Sequence, residues 1–254
     1  MLQEILFHLF LALAIALLAR FAPASARHVD SHLDDETLHR LNKKGTVWVL
    51  VAMFTWLPLC TFVLGLALHA LAQAYSSYFS PTPYSVVADL PNWCCVALVF
   101  AFATVKVPME TVVLRMTNQD TLDAINIMAA RQYNYDSERG WTGVRNIFLV
   151  LGFVAFVLVS DYGIFVYKDR VVFNDMITPF QERSYPLTDV SQLEHAAKLQ
   201  HKNGSSSDFP VYILSMRDGT EWKSNFNDYG QTDKAMQYLS VIAGVQVDSV
   251  LLWQ

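Results

Sequence analysis

The stretch TVWVLVAMFTWLPLCTFVLGLALHALA decides the fold; it runs from Thr46 to Ala72 without Asp, Glu, Lys or Arg. A helix of roughly 20 mainly apolar residues crosses a bilayer core about 30 Å thick. The stretch therefore predicts a membrane-spanning helix, and Pro58 predicts a kink in it. The composition of the whole chain also indicates a membrane protein. Of its 254 residues, 53% are hydrophobic and 16% are charged, against about 25% charged in ordinary soluble domains.

Three further apolar segments bring the predicted α-helical membrane bundle to about four spans. The spans lie near residues 3–21, 46–72, 93–114 and 146–166. The first also resembles a secretory signal peptide cleaved at Ala24-Ser25-Ala26, but Glu4 and the lack of early Lys or Arg favour an uncleaved helix. The third contains Lys106, Pro108 and Glu110, so it is either an interrupted span or a helix that leaves the membrane obliquely.

Two connecting segments differ in character. Residues 73–92 are predicted to form an interfacial loop, because prolines interrupt them and tyrosines suit the headgroup region. The polar segment 116–145 is predicted to contain an amphipathic helix, capped by Asn118 or Asp120, that lies on the membrane surface or against a partner. Its apolar positions at helical spacing are Leu122, Ile125, Met128 and Ala129.

The distribution of Lys and Arg predicts the orientation. Nine of them lie between the first and second or between the third and fourth segments: Arg20, Arg27, Arg40, Lys43, Lys44, Arg115, Arg131, Arg139 and Arg145. The opposite side has only Lys168 and Arg170 close to a span. With four spans, the nine-charge side is cytoplasmic and the C-terminal domain faces away from the cytoplasm. If the third segment does not span, the C-terminal domain is cytoplasmic.

Residues 162–254 are predicted to form a small soluble α+β domain after a membrane domain of residues 1–161. Strand-like runs follow Tyr162, and Asp218-Gly219 is the strongest hairpin signal. A closing amphipathic helix is predicted after Gln231, with Thr232 as its cap and Gly244 as its stop. Its apolar positions are Ala235, Tyr238, Leu239 and Ile242.

The domain resembles the small pleckstrin-homology-like domains of bacterial membrane proteins. The stretches that carry the resemblance are Tyr162-Gly163-Ile164-Phe165-Val166, Tyr185-Pro186-Leu187-Thr188-Asp189-Val190 and Leu214-Ser215-Met216-Arg217-Asp218-Gly219. The resemblance implies a partial barrel with a C-terminal helix, protein binding or ring assembly, and a bacterial inner membrane. The domain is shorter than a full seven-stranded version. Its eight Lys and Arg against eleven Asp and Glu disfavour a phosphoinositide pocket.

Four residues ahead of the second span form a candidate metal site. They are His28, His32, Asp35 and His39, which share one face of a helix. Imidazole and carboxylate can bind zinc or a similar ion. The alternative is a solvated juxtamembrane helix whose other face rests on lipid.

Lys106, Glu110 and Asp161 are candidate intramembrane charges. Such charges are costly in a bilayer, so they often mark a transport pathway or a buried pair with another subunit. The alternative is that each lies at the interface, with Lys106 extending toward the headgroups.

Other chemistry is disfavoured. Neither terminus is basic, which argues against nucleic acid as a partner. The cysteines, Cys60, Cys94 and Cys95, fit no disulfide framework or zinc ribbon. His195 and His201 match no ligand motif, and we interpret them as surface residues. No phosphate loop, nucleophile elbow or zinc-protease motif is present, so we expect no enzyme activity and no cofactor.

The sequence therefore favours a non-enzymatic accessory or scaffold subunit. Its spans would pack against membrane lipids and other membrane protein subunits, and its C-terminal domain would dock a partner. One alternative is a small transporter or channel component that uses Lys106, Glu110 and Asp161. Another is a membrane sensor whose C-terminal domain binds a ligand.

Overall fold

A computed structural model describes residues 33–79, 82, 84–133, 137–174, 182–200, 206–207, 210–224 and 229–250. The helices are α1 (Asp35–Phe79), α2 (Leu90–Thr104), α3 (Lys106–Met116), α4 (Gln119–Tyr133), α5 (Ser137–Asp161) and α6 (Tyr229–Ala243). The strands are β1 (Tyr84–Val87), β2 (Gly163–Val166), β3 (Arg170–Asn174), β4 (Arg183–Pro186), β5 (Val190–Ala196), β6 (Leu199–Gln200), β7 (Ser206–Ser207), β8 (Val211–Met216), β9 (Glu221–Lys223) and β10 (Val247–Val250). The predicted span at 3–21 lies outside the described residues.

The chain divides into two compact units, and three helices contribute to both. The first unit comprises Met1–Gly65 and Cys94–Val154, and the second comprises Leu66–Trp93 and Ala155–Gln254. Among the described residues, two helices are long and apolar enough to cross a membrane, or three if α2 and α3 form one broken span. The fold is thus a helical N-terminal region with apolar helices and a small C-terminal sheet domain, as predicted.

Helix α1 contains the predicted span and extends it at both ends. It begins after Asp34, whose carboxylate accepts hydrogen bonds from the backbone N–H and the hydroxyl of Thr37 at 2.8 and 3.0 Å. These bonds, the backbone one foremost, hold the pKa of Asp34 below its ordinary value. Helix α1 continues through Pro58 to Phe79, so the first part of the predicted loop 73–92 is helical.

Helices α2 and α3 meet at Val105 with a bend of 52°. Pro108 lacks the N–H that would bond to the carbonyl oxygen of Thr104, which weakens a continuous helix at this point. The Thr104 hydroxyl contacts the carbonyl oxygens of Phe100 and Ala101 at 3.2 and 3.1 Å. It also accepts a hydrogen bond of 3.3 Å from Trp56 Nε1 of α1. The third apolar segment is therefore interrupted at Val105, and its crossing of a membrane stays a prediction.

Helix α4 is the predicted amphipathic helix, and Asn118 caps it with a 3.1 Å bond from the Thr121 N–H. It packs on α1: a Cβ placed on Gly45 would lie 2.5 Å from Ile125 Cδ1. An ion pair of 2.8 Å between Arg131 and Asp35 also joins the two helices. Ile125, on the apolar face that we expected to meet lipid or a partner, thus contacts α1.

Helix α5 ends at Asp161, and residues 163–166 form β2. The predicted span to residue 166 is therefore too long. An apolar run buried in a sheet core and one buried in lipid look alike in sequence, so the helix end was misplaced.

The second unit contains two four-stranded sheets. The first has the order β1-β2-β3-β4, with all neighbours antiparallel. The second has the order β10-β5-β8-β9, in which β10 runs parallel to β5 and the other neighbours are antiparallel. The predicted hairpin at Asp218-Gly219 joins β8 to β9, and Gly219 has a φ of +84°.

Helix α6 contributes Ala235, Met236 and Leu239 to a core that both sheets share. It begins at Tyr229, so Thr232 is a buried residue within the helix and not its cap. Gly244 follows the helix with a φ of +68°, as the predicted stop requires. The core also contains Phe173 of the first sheet and Leu214 of the second.

Candidate functional site

The most distinctive feature of the second unit is β1, a strand that lies in the chain between two apolar helices. It pairs residue by residue with β2, from Tyr84 opposite Val166 to Val87 opposite Gly163. Val86 is only 1% exposed and belongs to the core shared with α6. The predicted loop 73–92 therefore contains a structural strand of the C-terminal domain.

Further contacts hold β1 in place. The ring of Tyr84 lies 4.9 Å from that of Tyr238 on α6. The hydroxyl of Ser76, on the last turns of α1, donates a 2.8 Å hydrogen bond to the hydroxyl of Ser85. We refer to the end of α1, β1, the start of α2, the end of α5 and β2 as the helix–sheet junction.

The close approach of β1 to β2 requires a glycine. A Cβ placed on Gly163 would lie 2.8 Å from the backbone carbonyl oxygen of Val86, a distance that real Cβ atoms do not adopt. Because the neighbouring atom belongs to the backbone, it cannot rotate away as a side chain could. Gly163 thus permits α5 to pass directly into a paired strand.

Asp161 lies at the helix–sheet junction, at the last residue of α5. Its carboxylate accepts a hydrogen bond of 3.1 Å from Asn174 Nδ2 on β3. A carboxylate at a helix C-terminus meets the negative end of the helix dipole, so this bond offsets an unfavourable position. The arrangement links the end of α5 to the sheet and gives Asp161 a structural role.

Lys106 and Glu110 are brought together one turn apart on α3. Lys106 Nζ lies 3.4 Å from Glu110 Oε1, and the two side chains are 28% and 39% exposed. The pair lies directly after the bend at Val105. Asp161 belongs to the other unit. The paired ammonium and carboxylate neutralise each other, which lowers the cost of placing them near a bilayer.

The candidate metal site is only half described. His28 and His32 lie outside the described residues, whereas Asp35 and His39 are exposed on the first turns of α1. The Asp35 carboxylate accepts the hydrogen bond from Arg131. In the part of the chain that the structure describes, no three His, Cys, Asp or Glu side chains are grouped as metal ligands.

His195 lies on β5 with its ring 4.8 Å from that of Tyr212 on β8. The Tyr212 hydroxyl donates a hydrogen bond to the carboxylate of Asp233 on α6. These contacts join the second sheet to α6, and they give His195 a packing role. His201 lies outside the described residues.

The three cysteines, Cys60, Cys94 and Cys95, form no disulfide. Cys94 has a packing role, because its sulfur lies 2.7 Å from the position that a Cβ on Gly65 would take. A small residue on α1 therefore lets α2 approach closely, as in many membrane helix pairs.

Sequence reasoning missed His69, which lies within the apolar part of α1. Its Nε2 lies 3.0 Å from the Gln73 amide nitrogen. Its Nδ1 is buried and makes no hydrogen bond within the described part of the chain. An imidazole within an apolar helix is uncommon and often marks a functional position, so the sequence alone could have identified His69.

Comparison with protein-family models, curated proteins and solved structures finds no match to this chain.

Proposed function

We propose that this protein is a non-enzymatic accessory or scaffold subunit of a larger membrane complex, in which the sheet domain docks a partner. The observation that carries the proposal is the helix–sheet junction. The domain takes its edge strand β1 from the connection between two apolar helices. It is therefore joined to the apolar helices at more than one point of the chain. We expect such a domain to hold a partner close to the membrane.

The strand arrangement supports a pleckstrin-homology-like interpretation of the sheet domain. In the two four-stranded sheets, the tail supplies six strands besides β10, and β1 supplies a seventh from outside the tail. Strands β1 to β4 make one sheet, β5, β8 and β9 make the other, and α6 packs on both. The parallel strand β10 is an addition beyond that pattern. Docking at an open sheet edge is a common binding mode for such domains.

The pairing of β1 with β2 also supports a particular membrane topology. Two paired strands must lie on the same side of a bilayer, and α2, α3, α4 and α5 lie between them in the chain. If α5 crosses the bilayer, an odd number of further crossings must lie between β1 and α5, and α2 and α3 together would supply one as a broken span. With that topology, the positive-inside rule favours the non-cytoplasmic side for the sheet domain.

The surface of α1 supports a role in assembly. Many of its large apolar side chains are exposed, with Phe54 71%, Leu59 57% and Phe62 57% accessible. Such a surface must be covered by lipid or by another subunit. Within the described part of the chain, α1 thus exposes apolar side chains that are available for contact with lipid or another subunit.

Native mass spectrometry of gently solubilised protein from its own cells tests the proposal. The expected result is a stoichiometric complex with at least one other membrane protein. The matched variant Val86→Asp places a carboxylate in the shared core of the sheet domain, and it should lose the partner while the protein remains in the membrane. Recovery of the wild-type chain as a lone monomer would contradict the proposal.

A fusion experiment tests the topology separately. Alkaline phosphatase, which is active only outside the cytoplasm, should be active when it follows Gln254. It should be inactive when it follows Gln119, at the start of α4. Activity of a cytoplasm-only reporter after Gln254 would reverse the assignment.

A transporter or channel component is the second candidate, and the broken helix at Val105 favours it. Broken spans with charges close to the break line substrate pathways in many transporters. The double variant Lys106→Gln with Glu110→Gln should then abolish a flux in reconstituted vesicles while leaving complex assembly intact. A loss of assembly without any measurable wild-type flux would favour the accessory role.

A further inference from the structure

The residues of α1 that precede its apolar run have two distinct faces. Leu38 is fully buried, and Gly45 lies against Thr121 and Ile125 of α4. These two positions are seven residues apart and therefore lie on the same side of the helix. The exposed cations on the other side are Arg40, Lys43 and Lys44. Packing of α4 thus fixes the rotation of α1 and turns the three cations outward.

The basic face continues into an exposed apolar stripe along the same helix. Val47, Val51 and Phe54 are 55%, 45% and 71% exposed. They follow Arg40 and Lys44 at the spacing that keeps residues on one face of a helix. We call the face from Arg40 to Phe54 the α1 stripe.

The length of the α1 stripe matches one leaflet. From residue 40 to residue 54, a helix rises about 21 Å. Half of a bilayer, with its headgroups, is about 20 to 22 Å thick. The boundary between the cations and the apolar side chains falls at Thr46 and Val47, where the apolar run begins.

The cations are available for an external anion. Among the described residues, the side chains of Arg40, Lys43 and Lys44 form no ion pair, whereas Asp35 is paired with Arg131 and Asp34 caps the helix. Glu36 lies on the same face, one turn farther from the apolar run than Arg40. The three cations therefore adjoin the apolar stripe with no acid between.

We propose that the α1 stripe binds one anionic phospholipid lengthwise. The phosphate lies on Arg40, Lys43 and Lys44, and an acyl chain lies on the apolar half of the stripe. The apolar half selects a lipid over free phosphate, because a headgroup alone would leave that half without a ligand. The negative headgroup selects phosphatidylglycerol-like lipids over zwitterionic ones.

Lipid titration of the solubilised full-length protein, followed by native mass spectrometry, tests the proposal. Phosphatidylglycerol should bind more tightly than phosphatidylcholine with the same acyl chains. The triple variant R40Q/K43Q/K44Q should bind phosphatidylglycerol roughly 100-fold more weakly, since each cation near an anionic surface contributes about a factor of five. The control K168Q/K198Q/R217Q removes three cations from the sheet domain, and it should bind as the wild type does.

Two further measurements separate the lipid from other ligands. Glycerol 1-phosphate carries the headgroup without acyl chains, and it should not displace phosphatidylglycerol. The double variant V51A/F54A keeps all three cations but shortens the apolar half, and it should also weaken lipid binding. Circular dichroism checks that each variant keeps its helices. Unchanged binding in R40Q/K43Q/K44Q, equal binding of both lipids, or displacement by glycerol 1-phosphate would each overturn the proposal.

Discussion

At the scale of single residues, Asp218 shows how one carboxylate holds the β8–β9 turn. It accepts a 2.8 Å hydrogen bond from the Thr220 N–H and a 2.9 Å bond from the Tyr185 hydroxyl. The backbone bond from Thr220 is the largest cause of a pKa below the ordinary carboxyl value. Tyr185 lies on β4, so this turn connects the two sheets.

The lowered pKa of Asp218 predicts how stability depends on pH. A depressed folded-state pKa contributes stability above the unfolded value of about 3.9, and this contribution is lost as pH falls through the folded value. Asp218→Asn should therefore lower the melting temperature at pH 7 and flatten its decline below about pH 4. Tryptophan fluorescence of the solubilised protein measures this. Asp248→Asn on β10 is the control, and an identical pH profile for Asp218→Asn and wild type would refute the prediction.

Gly163 allows a residue-scale prediction about the helix–sheet junction. Gly163→Val places side-chain atoms against the carbonyl oxygen of Val86 and should force β1 away from β2. Overpacking of this kind costs about 1–3 kcal/mol. Ser184→Val on an exposed position of β4 is the control and should change the free energy of unfolding by no more than about 0.5 kcal/mol. Equal stability of the two variants, measured by chemical denaturation, would count against the close approach.

At the scale of elements, the pairing of β1 with β2 can be tested by cross-linking. Ser85 and Phe165 are directly opposite, and opposite Cα atoms of antiparallel strands lie about 4.5–5.5 Å apart, within reach of a disulfide. With Cys60, Cys94 and Cys95 replaced by Ser, the pair S85C/F165C should form a disulfide on mild oxidation, seen as a gel shift.

The control for this cross-link is S85C/V172C. Val172 pairs with Phe165 on the next strand, so it lies about two strand spacings, roughly 10 Å, from Ser85. That distance is too long for a disulfide. Efficient cross-linking of the control, or none of S85C/F165C, would show that β1 does not pair with β2 in the register described above.

The elements also show what sequence can and cannot predict. The uncharged run of α1, the Asp218-Gly219 hairpin and α6 are predicted correctly, because hydrophobic periodicity and turn chemistry act locally. Strand β1 is missed because its pairing partner lies beyond four helices, and prolines nearby favoured a loop. Strand β10 is missed because its parallel partner β5 also lies far away in sequence, with Leu193 opposite Val247.

The candidate site residues also divide into those that local sequence spacing predicts and those that depend on tertiary contacts. The pairing of Lys106 with Glu110 follows from one-turn spacing and is visible in the sequence. The bond from Asn174 to Asp161 depends on how β3 returns beside the end of α5, which sequence spacing does not contain. The packing of Gly45 on Ile125 is likewise a tertiary contact. The sequence therefore shows how many cations precede the apolar run of α1, but not which way they face.

At the scale of the whole molecule, residues 162–254 should not form a complete domain on their own. Without β1 the first sheet loses an edge strand, and the core loses Val86. The isolated tail should give a poorly dispersed amide NMR spectrum. A version with residues 82–89 joined to its N-terminus by a flexible linker should give a dispersed one, and the same fusion with Val86→Asp is the control. A well-dispersed spectrum of the tail alone would disprove the dependence.

The first sheet takes neighbouring strands from two parts of the chain that four helices separate, and this affects how the domain can be completed during synthesis. During translation, β1 leaves the ribosome before α2, α3, α4 and α5, whereas β2 leaves it after them. The strand must therefore wait with an unpaired edge until the last apolar helix has been inserted, and open edges invite misassociation. The first sheet can therefore close only after all four of these helices have been synthesised.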